Sequence, residues 1–494
     1  MKNIVKLTYL LAFLTALSAC DLNLQPISEK TYKEDASGNT IKLKDRDAAL
    51  AAYTYMYNIM TQNPGVEGYA LDMLIYSDSH ADNSYRGATD VELTQLEQQR
   101  QDGINKNINR DWDYFYQLIG AANNVICNID SVPDATLTLA ERKQWKAEAL
   151  VMRAMVYFDI VRLWGDVPLV LVQPPAISNA NINEVYKLYY PPRDSSARVY
   201  RQIVDDVNKA LVPGGVPAID KTNKFKFSKT VAYALLAKVY AEQPIRDYAK
   251  VIQYVTEVEK DVTLMPKYSD LFAMNSSNTD VLNRNSAESI FEITFPGGGN
   301  WVTWMCGVDM SDANSKYDWA KWYTPSRDLI DAFTKAGDTE RMNQTIIRAD
   351  VTWSNHYPSK GYPFMYKLRS KFHSIIKFRL ADMLLLKAEA YVNLGDAAKA
   401  TILVNTIRTR AKLASLSTVT ADDVLNERRL ELAFESQRWF DLVRTGKVFS
   451  IMNTLNSRDV GRLPMDPVTI EKTILPIPQP QIDKNPSMVQ NPGY

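Results

Sequence analysis

The stretch RLADMLLLKAEAYVNLGDAAKA, residues 379–400, decides the architecture. It reads as two helical runs joined at Gly395-Asp396, glycine being the residue that most readily ends a helix in the left-handed region. Within it Ala388, Tyr391 and Ala400 stand at the same mutual offsets as Ala237, Tyr240 and Ala249 upstream, where Pro244 occupies the turn. Ala154 and Tyr157 repeat half of the pattern on a third helix. Two matching copies and a partial third predict a short stack of helix pairs, in which the small residue lets two helices approach and the aromatic wedges between them.

The pattern resembles the tetratricopeptide repeat. Apolar residues at helical spacing predict further helices over 47–60 and 110–129, the second through Trp112, Phe115, Leu118, Ile119, Ala122 and Ile126. The best-defined helix opens on a Thr138/Glu141 capping box, runs through Trp145, Ala149, Met152, Val156, Ile160 and Leu163, and stops at Gly165 and Pro168. Another spans 195–211 and ends at Pro213-Gly214-Gly215. One strand is expected over 290–295, before Pro296-Gly297-Gly298-Gly299; otherwise 262–373 shows little helical periodicity. The chain past Met465 reads as irregular and pinned by its flanks. The predicted class is all-α: tetratricopeptide-like helix pairs with long irregular insertions and minor β. The single domain covers 45–494, with its helical scaffold over about 45–260 and 374–446, an insertion over about 261–373 and an irregular C-terminal segment over 447–494.

The N-terminus carries an address. Lys2 and Lys6 precede an apolar run from Leu7 to Leu17, and Leu17-Ser18-Ala19 leads directly to Cys20. That order predicts a lipoprotein signal over 1–19, removed so that Cys20 becomes a lipidated N-terminus, with 20–44 as a polar tether. Two or more acyl chains on such a cysteine give stable membrane anchoring. A plain signal peptide remains the alternative; a spanning helix needs about 20 apolar residues, more than this run supplies.

Composition narrows the rest. With 57 basic and 57 acidic side chains among 494 residues, the chain lacks the basic face that nucleic acid binding requires. Besides Cys20 only Cys127 and Cys306 remain, which excludes a disulfide framework or thiolate metal site. One bridge stays open, with two separate buried thiols as the favoured reading. No serine elbow, phosphate-cradling glycine loop or His-Glu-x-x-His motif is present.

Candidate binding groups fall on two insertions, 61–109 and 269–373, since rigid scaffolds commonly carry function on their loops. The first holds Tyr69, Tyr76, Asp78, Asp82, Asn83, Tyr85 and Arg86; the second holds Trp301, Trp304, Trp319, Trp322, Tyr323 and Trp353. Flat apolar rings beside charged and amide groups are what a sugar needs, one for its C–H faces and the other for its hydroxyls. About half of the rings are expected to serve as packing. Asp78, Asp82 and Asn83 are hard oxygen donors close in sequence, yet they lack the spacing and glycine of a calcium loop, so no cofactor or metal is assigned. His80, His356 and His373 show no paired metal spacing.

Four stretches then carry a family resemblance: RAMVYFDIVRLWGDVPLV (153–170), RLADMLLLKAEAYVNLGD (379–396), NERRLELAFESQRWFDLVRTG (426–446) and LPIPQPQIDKNPSMVQNPGY (475–494). With Cys20, they resemble the RagB/SusD family of nutrient-binding outer-membrane lipoproteins. The resemblance implies a noncatalytic, surface-exposed protein of a Gram-negative, Bacteroidetes-type outer membrane. Its partners would be an oligosaccharide and a TonB-dependent transporter barrel, over which it closes as a lid. Asp21, directly after the lipidated cysteine, retains lipoproteins at the inner membrane in some bacteria.

From the residues alone, the charges of 427–444 predict ion pairs along a helix face, spaced three and four apart. Arg153, Asp159, Arg162 and Asp166 are expected to fasten a helix end to the loop after Gly165, and Trp164 and Trp439 to be buried plugs. Two rival functions stay open: a glycan hydrolase using Glu288 and Glu292, and a scaffold docking a peptide in its repeat groove.

Overall fold

The computed structural model describes residues 43–62, 67–175, 177, 181–295, 301–314 and 316–494. Cys20, its signal and the tether up to residue 42 lie outside the described residues, as does 296–300. The scaffold helices are α1 (Arg46–Asn58), α2 (Lys106–Asn128), α3 (Leu139–Trp164), α4 (Ser196–Ala210), α5 (Lys229–Ala241), α6 (Tyr248–Val258), α7 (Leu380–Asn393), α8 (Ala397–Arg410), α9 (Ala421–Leu432) and α10 (Arg438–Arg444). Each packs on its neighbour in turn: α1 on α2, α2 on α3, α3 on α4, α5 on α6, α6 on α7, and α7 on both α8 and α9.

Helix α3 is the axle. Thr138 and Glu141 close the expected capping box, and every residue from Ala147 to Val161 is buried. A helix apolar on all sides must lie inside the molecule, and any polar group on it must find a partner there. Glu148 accepts from the hydroxyls of Tyr53 (2.8 Å) and Tyr57 on α1. Arg153 makes two 2.7 Å bonds to Asp206 on α4 and one to Asn123 on α2. Asp159 takes Arg162 at 2.6 Å and Lys377 at 2.8 Å. These three groups therefore set helix against helix and helix against strand. The expected tie to the loop after Gly165 is made by Arg153, which also donates to the Leu171 carbonyl at 3.2 Å, and by Asp166, which accepts from the Ser196 amide at 2.7 Å.

The repeat holds with one shift. Ala237 and Ala388 are fully buried, as is Ala400, but Ala249 is exposed. Asp396 caps α8 five residues after Tyr391, whereas Asp247 caps α6 seven residues after Tyr240, because a 3-10 turn through Pro244 lengthens the earlier connection. The position equivalent to Ala400 is thus Val251, which is fully buried. Cys306 is buried, but Cys127 sits exposed on the outer side of α2; both are free thiols.

Among the described residues three two-stranded antiparallel ribbons accompany the helices: β1 (Ser84–Arg86) with β3 (Tyr323–Pro325), β2 (Ser289–Ile293) with β6 (Ile375–Arg379), and β4 (Ile346–Ala349) with β5 (Tyr362–Met365). The insertions are more regular than their sequence implies. The first contains π-helical turns at Glu67–Asp72 and Ile75–Ser79 and a helix at Val91–Glu97. The second contains helices Arg327–Ala336 and Thr339–Thr345. The former buries only Leu329 and Phe333, too few for periodicity to register; its signals are the Ser326 cap on the Leu329 amide and Gly337 at φ +66°.

Trp164 and Trp439 are buried, as expected. The charges of 427–444 are structural too, but apart from Asp441, which pairs with Arg428 and Arg444, the partners described next lie elsewhere in the chain. Arg428 holds Asp382 (2.7 Å) and Asp441 (2.8 Å), Arg438 grips Asp82 at 2.7 and 2.8 Å, and Glu431 receives Arg379 at 2.5 Å and Arg410. Of the pairs within this stretch, Arg444–Asp441 follows helical spacing. The stretch is also broken: between α9 and α10, Phe434 and Ser436 adopt φ of +62° and +59°, which turns successive charges toward different neighbours. Burial alone would push the Glu431 carboxyl up, but Arg410, Arg379 and Arg341 outweigh it and hold the group well below the usual range.

Arg379 is the shared cation of Glu288, Glu431 and Glu435. Removing one member of a buried ion pair costs roughly 3–5 kcal/mol. Arg379→Met is therefore expected to lose stability of that size in urea unfolding at pH 7. Arg198→Met, in an exposed pair with Asp194, should stay within about 1 kcal/mol of the wild type. Equal midpoints for the two variants would remove the lattice from the account of the fold.

Candidate functional site

The two insertions meet along the β1–β3 ribbon, where Tyr85 pairs with Thr324 and Arg86 with Tyr323. Gly87 continues the ribbon by donating to the Trp322 carbonyl at 2.9 Å. A Cβ there would stand 2.2 Å from the Lys321 carbonyl oxygen, so only glycine fits. Gly307 plays the same part opposite Leu368, whose carbonyl a Cβ would meet at 2.2 Å. With the Val308 and Met310 amides bonded to the Leu368 and Arg369 carbonyls, this close approach fixes the short helix Val302–Cys306 and the loop behind it.

That helix presents Trp304, 49% exposed. The Trp319 ring lies 4.9 Å from it, centroid to centroid, at 42°, and the Lys321 ammonium stands 5.2 Å from the Trp319 centroid and 6.0 Å from that of Trp304. Burial lowers the Lys321 amine to about 8, against the opposing pull of Asp312, the Cys306 thiol, Asp318 and Asp309. Two indoles set like an open book over a buried cation, with the Asp309, Asp312 and Asp318 carboxylates near it, form a surface that can take a flat apolar face, leaving the carboxylates to bond its polar rim. Lys321 was not singled out in the sequence; the Trp-Ala-Lys-Trp run at 319–322 is the signal for it. Trp301 and Trp322 are half-buried and pack on the main core.

The remaining rings of the second insertion support this platform from below. Val308, Ala320, Tyr362 and Phe364 form a small separate core, against which Tyr317, Trp353 and Tyr357 pack. Trp353 is held by its indole N–H on the Tyr317 carbonyl at 3.1 Å.

The first insertion behaves differently from expectation. Tyr69, Tyr76, Asp78, Asn83 and Tyr85 are all interior, as is Tyr323 of the second. Tyr76 donates to Asp111 at 2.6 Å, Tyr85 to Asp459, and Tyr323 to the Leu71 carbonyl. Tyr69 borders a small pocket of about 50 Å³, room for a water or two and not for a sugar. Asp78 accepts from Asn83 (2.8 Å) and from the Phe434 and Ser436 amides (2.9 and 3.2 Å), so it caps the strained break between α9 and α10. Asp82 is gripped by Arg438, with Arg429 at 3.3 Å and Arg458 at 3.4 Å, leaving no oxygen for calcium. Among the described residues no cluster of three metal-capable side chains occurs. Arg86 is half-buried, donating to the Ala88 carbonyl. These partners lie up to some 370 residues away, which no local motif reveals.

Family comparison fits this geometry. The SusD family model matches residues 312–494, and a second model, described as starch-binding associating with outer membrane, matches residues 30–241. The chain belongs to the RagB/SusD family. SusD-like protein P38 of Formosa agariphila is 26% identical, with 100% of this chain and 99% of that one covered. The starch-binding protein SusD of Bacteroides thetaiotaomicron is 24% identical, with 72% of this chain and 74% of that one covered. The solved surface glycan-binding protein A of the same bacterium, in complex with laminarihexaose, has a TM-score of 0.75 at 19% identity, over 90% of this chain and 99% of that one. That likeness carries the SusD-like fold.

Within this SusD-like chain the carboxylates suspected of hydrolysis are buried and engaged. Glu288 meets Arg379 at 2.8 Å and Arg410, and Glu292 accepts from Ser374 at 2.5 Å.

Burial pushes the Asp78 carboxyl up to about 6, although Asn83 and the Phe434 amide oppose it. A folded value above the unfolded one contributes stability below about pH 4 that is lost as pH rises through 6. Asp78→Asn removes this dependence. Its stability relative to wild type should rise by about 2–3 kcal/mol between pH 4 and pH 7, each shifted unit being worth about 1.4 kcal/mol. Parallel denaturation curves at the two pH values check the sign.

Proposed function

We propose that this protein captures an oligosaccharide on the Trp304–Trp319 platform, without cleaving it, and delivers it to a TonB-dependent transporter in the outer membrane. The platform carries the reading: a half-exposed indole tilted against a second, backed by the buried Lys321 ammonium and with acidic groups nearby. Support comes from relatives named for starch binding and from the fold shared with a laminarihexaose-bound protein. Capture rather than hydrolysis is favoured because Glu288 and Glu292 are buried and tied into the core.

Titration of the mature chain with starch- and laminarin-derived oligosaccharides tests it. Trp304→Ala and Trp319→Ala should each weaken binding by about tenfold or more, at least about 1.4 kcal/mol, with little change in stability for the exposed Trp304. Full affinity in both variants would remove the platform as the site.

The Leu17-Ser18-Ala19-Cys20 signal supports lipid anchoring, and the matched family's association with the outer membrane supports the compartment. Cys20→Ser should move the protein from the membrane pellet to the soluble periplasmic fraction and abolish labelling by a fatty-acid probe. Unaltered fractionation would exclude lipidation there.

A further inference from the structure

Helix α2 divides its faces. Tyr114 and Phe115 turn toward the π-helical turn Glu67–Asp72, on which the Trp304 helix also packs. The opposite face carries Asp113, Tyr116 and Gln117 into a cleft of about 220 Å³, closed by Tyr190 and by Gln481 and Lys484 of the C-terminal helix Gln479–Lys484. The cleft and the platform are therefore on different sides of α2.

Its chemistry is mixed in a particular way. Tyr116 is fixed by its hydroxyl on the Pro168 carbonyl at 2.9 Å, so its ring forms a rigid wall. Asp113 accepts from Gln481 at 2.8 Å through one oxygen and leaves the other to the cleft. Burial raises the Asp113 carboxyl, with Lys484 and Gln481 opposing. Among the described residues neither the Gln117 amide nor the Lys484 ammonium has a hydrogen-bonding partner. Rings with unengaged donors and acceptors around them match a polyhydroxylated ring, whereas a carboxylate in the wall disfavours a phosphate. Clefts for drug-sized ligands run to roughly 300–1,000 Å³, so this one accommodates a single ring and its substituents.

We propose that this cleft is a second saccharide site, taking one pyranose ring independently of the Trp304–Trp319 platform. The choice of ligand rests on the capture reading; the cleft itself does not. Gln117 and Lys484 can be altered without touching the fold, so the double variant Gln117→Ala/Lys484→Ala is the informative one. The mature chain is titrated with the methyl glycosides of glucose, galactose and mannose by ligand-observed NMR, alongside this double variant and Trp304→Ala. Saturable binding of at least one glycoside is expected, weakened about tenfold or more by the double variant and persisting in Trp304→Ala. Three results would overturn the proposal: no glycoside saturating at tens of millimolar, binding indifferent to the double variant, or a short peptide pool occupying the cleft where glycosides do not. If Trp304→Ala abolishes oligosaccharide binding while no glycoside enters the cleft, capture stands and the second site falls. If the platform variants bind oligosaccharide normally while the cleft variant loses the glycoside, the reverse holds.

Discussion

The fold depends on guanidinium groups buried among carboxylates. A charge taken out of water is unfavourable by several kcal/mol unless geometry and hydrogen bonds compensate it. Here Arg341, Arg379, Arg428, Arg438 and Arg444 are all interior, and each meets at least one acid. Such pairs add little net stability over well-packed apolar groups, but they admit few alternative arrangements. The segment α9–α10 is consequently a clamp: Arg428 reaches the repeat helix α7, Glu431 the strand β6, and Arg438 and Arg429 the first insertion at Asp82 and Asn83. Parts of the chain hundreds of residues apart are thereby set in one register.

That clamp explains why the break at 433–437 persists. Left-handed backbone at Phe434 and Ser436 is unfavourable by about 1–2 kcal/mol per residue for side chains other than glycine. Asp78 compensates by accepting from the amides of both residues, and Asn83 in turn orients Asp78. The first insertion is thus a structural element whose polar residues complete the clamp. The same insertion supplies β1, against which β3 aligns, and β3 continues from the run that carries Trp319 and Lys321. Rigidity passes from buried charge to strand to platform.

What could be read from the sequence follows the range of the interactions. Helix α3 was legible because its cap, period and stop signals lie within thirty residues, and the repeat because its spacing recurs. The second small residue of the earlier repeat was misplaced only where a two-residue difference in turn length shifted the register onto Val251. The candidate site divides in the same way. Trp304 and Trp319 were recognisable by type and by their place in an insertion. Tyr76, Asp78 and Tyr85 are equally sugar-like by type, yet they are taken by Asp111, the Phe434 amide and Asp459. Side-chain type states what a residue can bond; only the tertiary contact states whether that capacity is already used.

Position within the fold then separates binding from packing among the rings themselves. Trp353, Tyr357 and Tyr362 are also ring-rich, but Tyr362 packs against both of the others, and all three belong to the small core behind the loop. Trp304 differs because its helix is held from behind by backbone bonds at Gly307 and Val308, which fix the ring without covering it. A binding surface needs this division. An indole free to rotate would have to be ordered by the ligand, at roughly 0.5–1.5 kcal/mol per side chain, whereas one fixed through its backbone and the ring beside it retains that energy for binding.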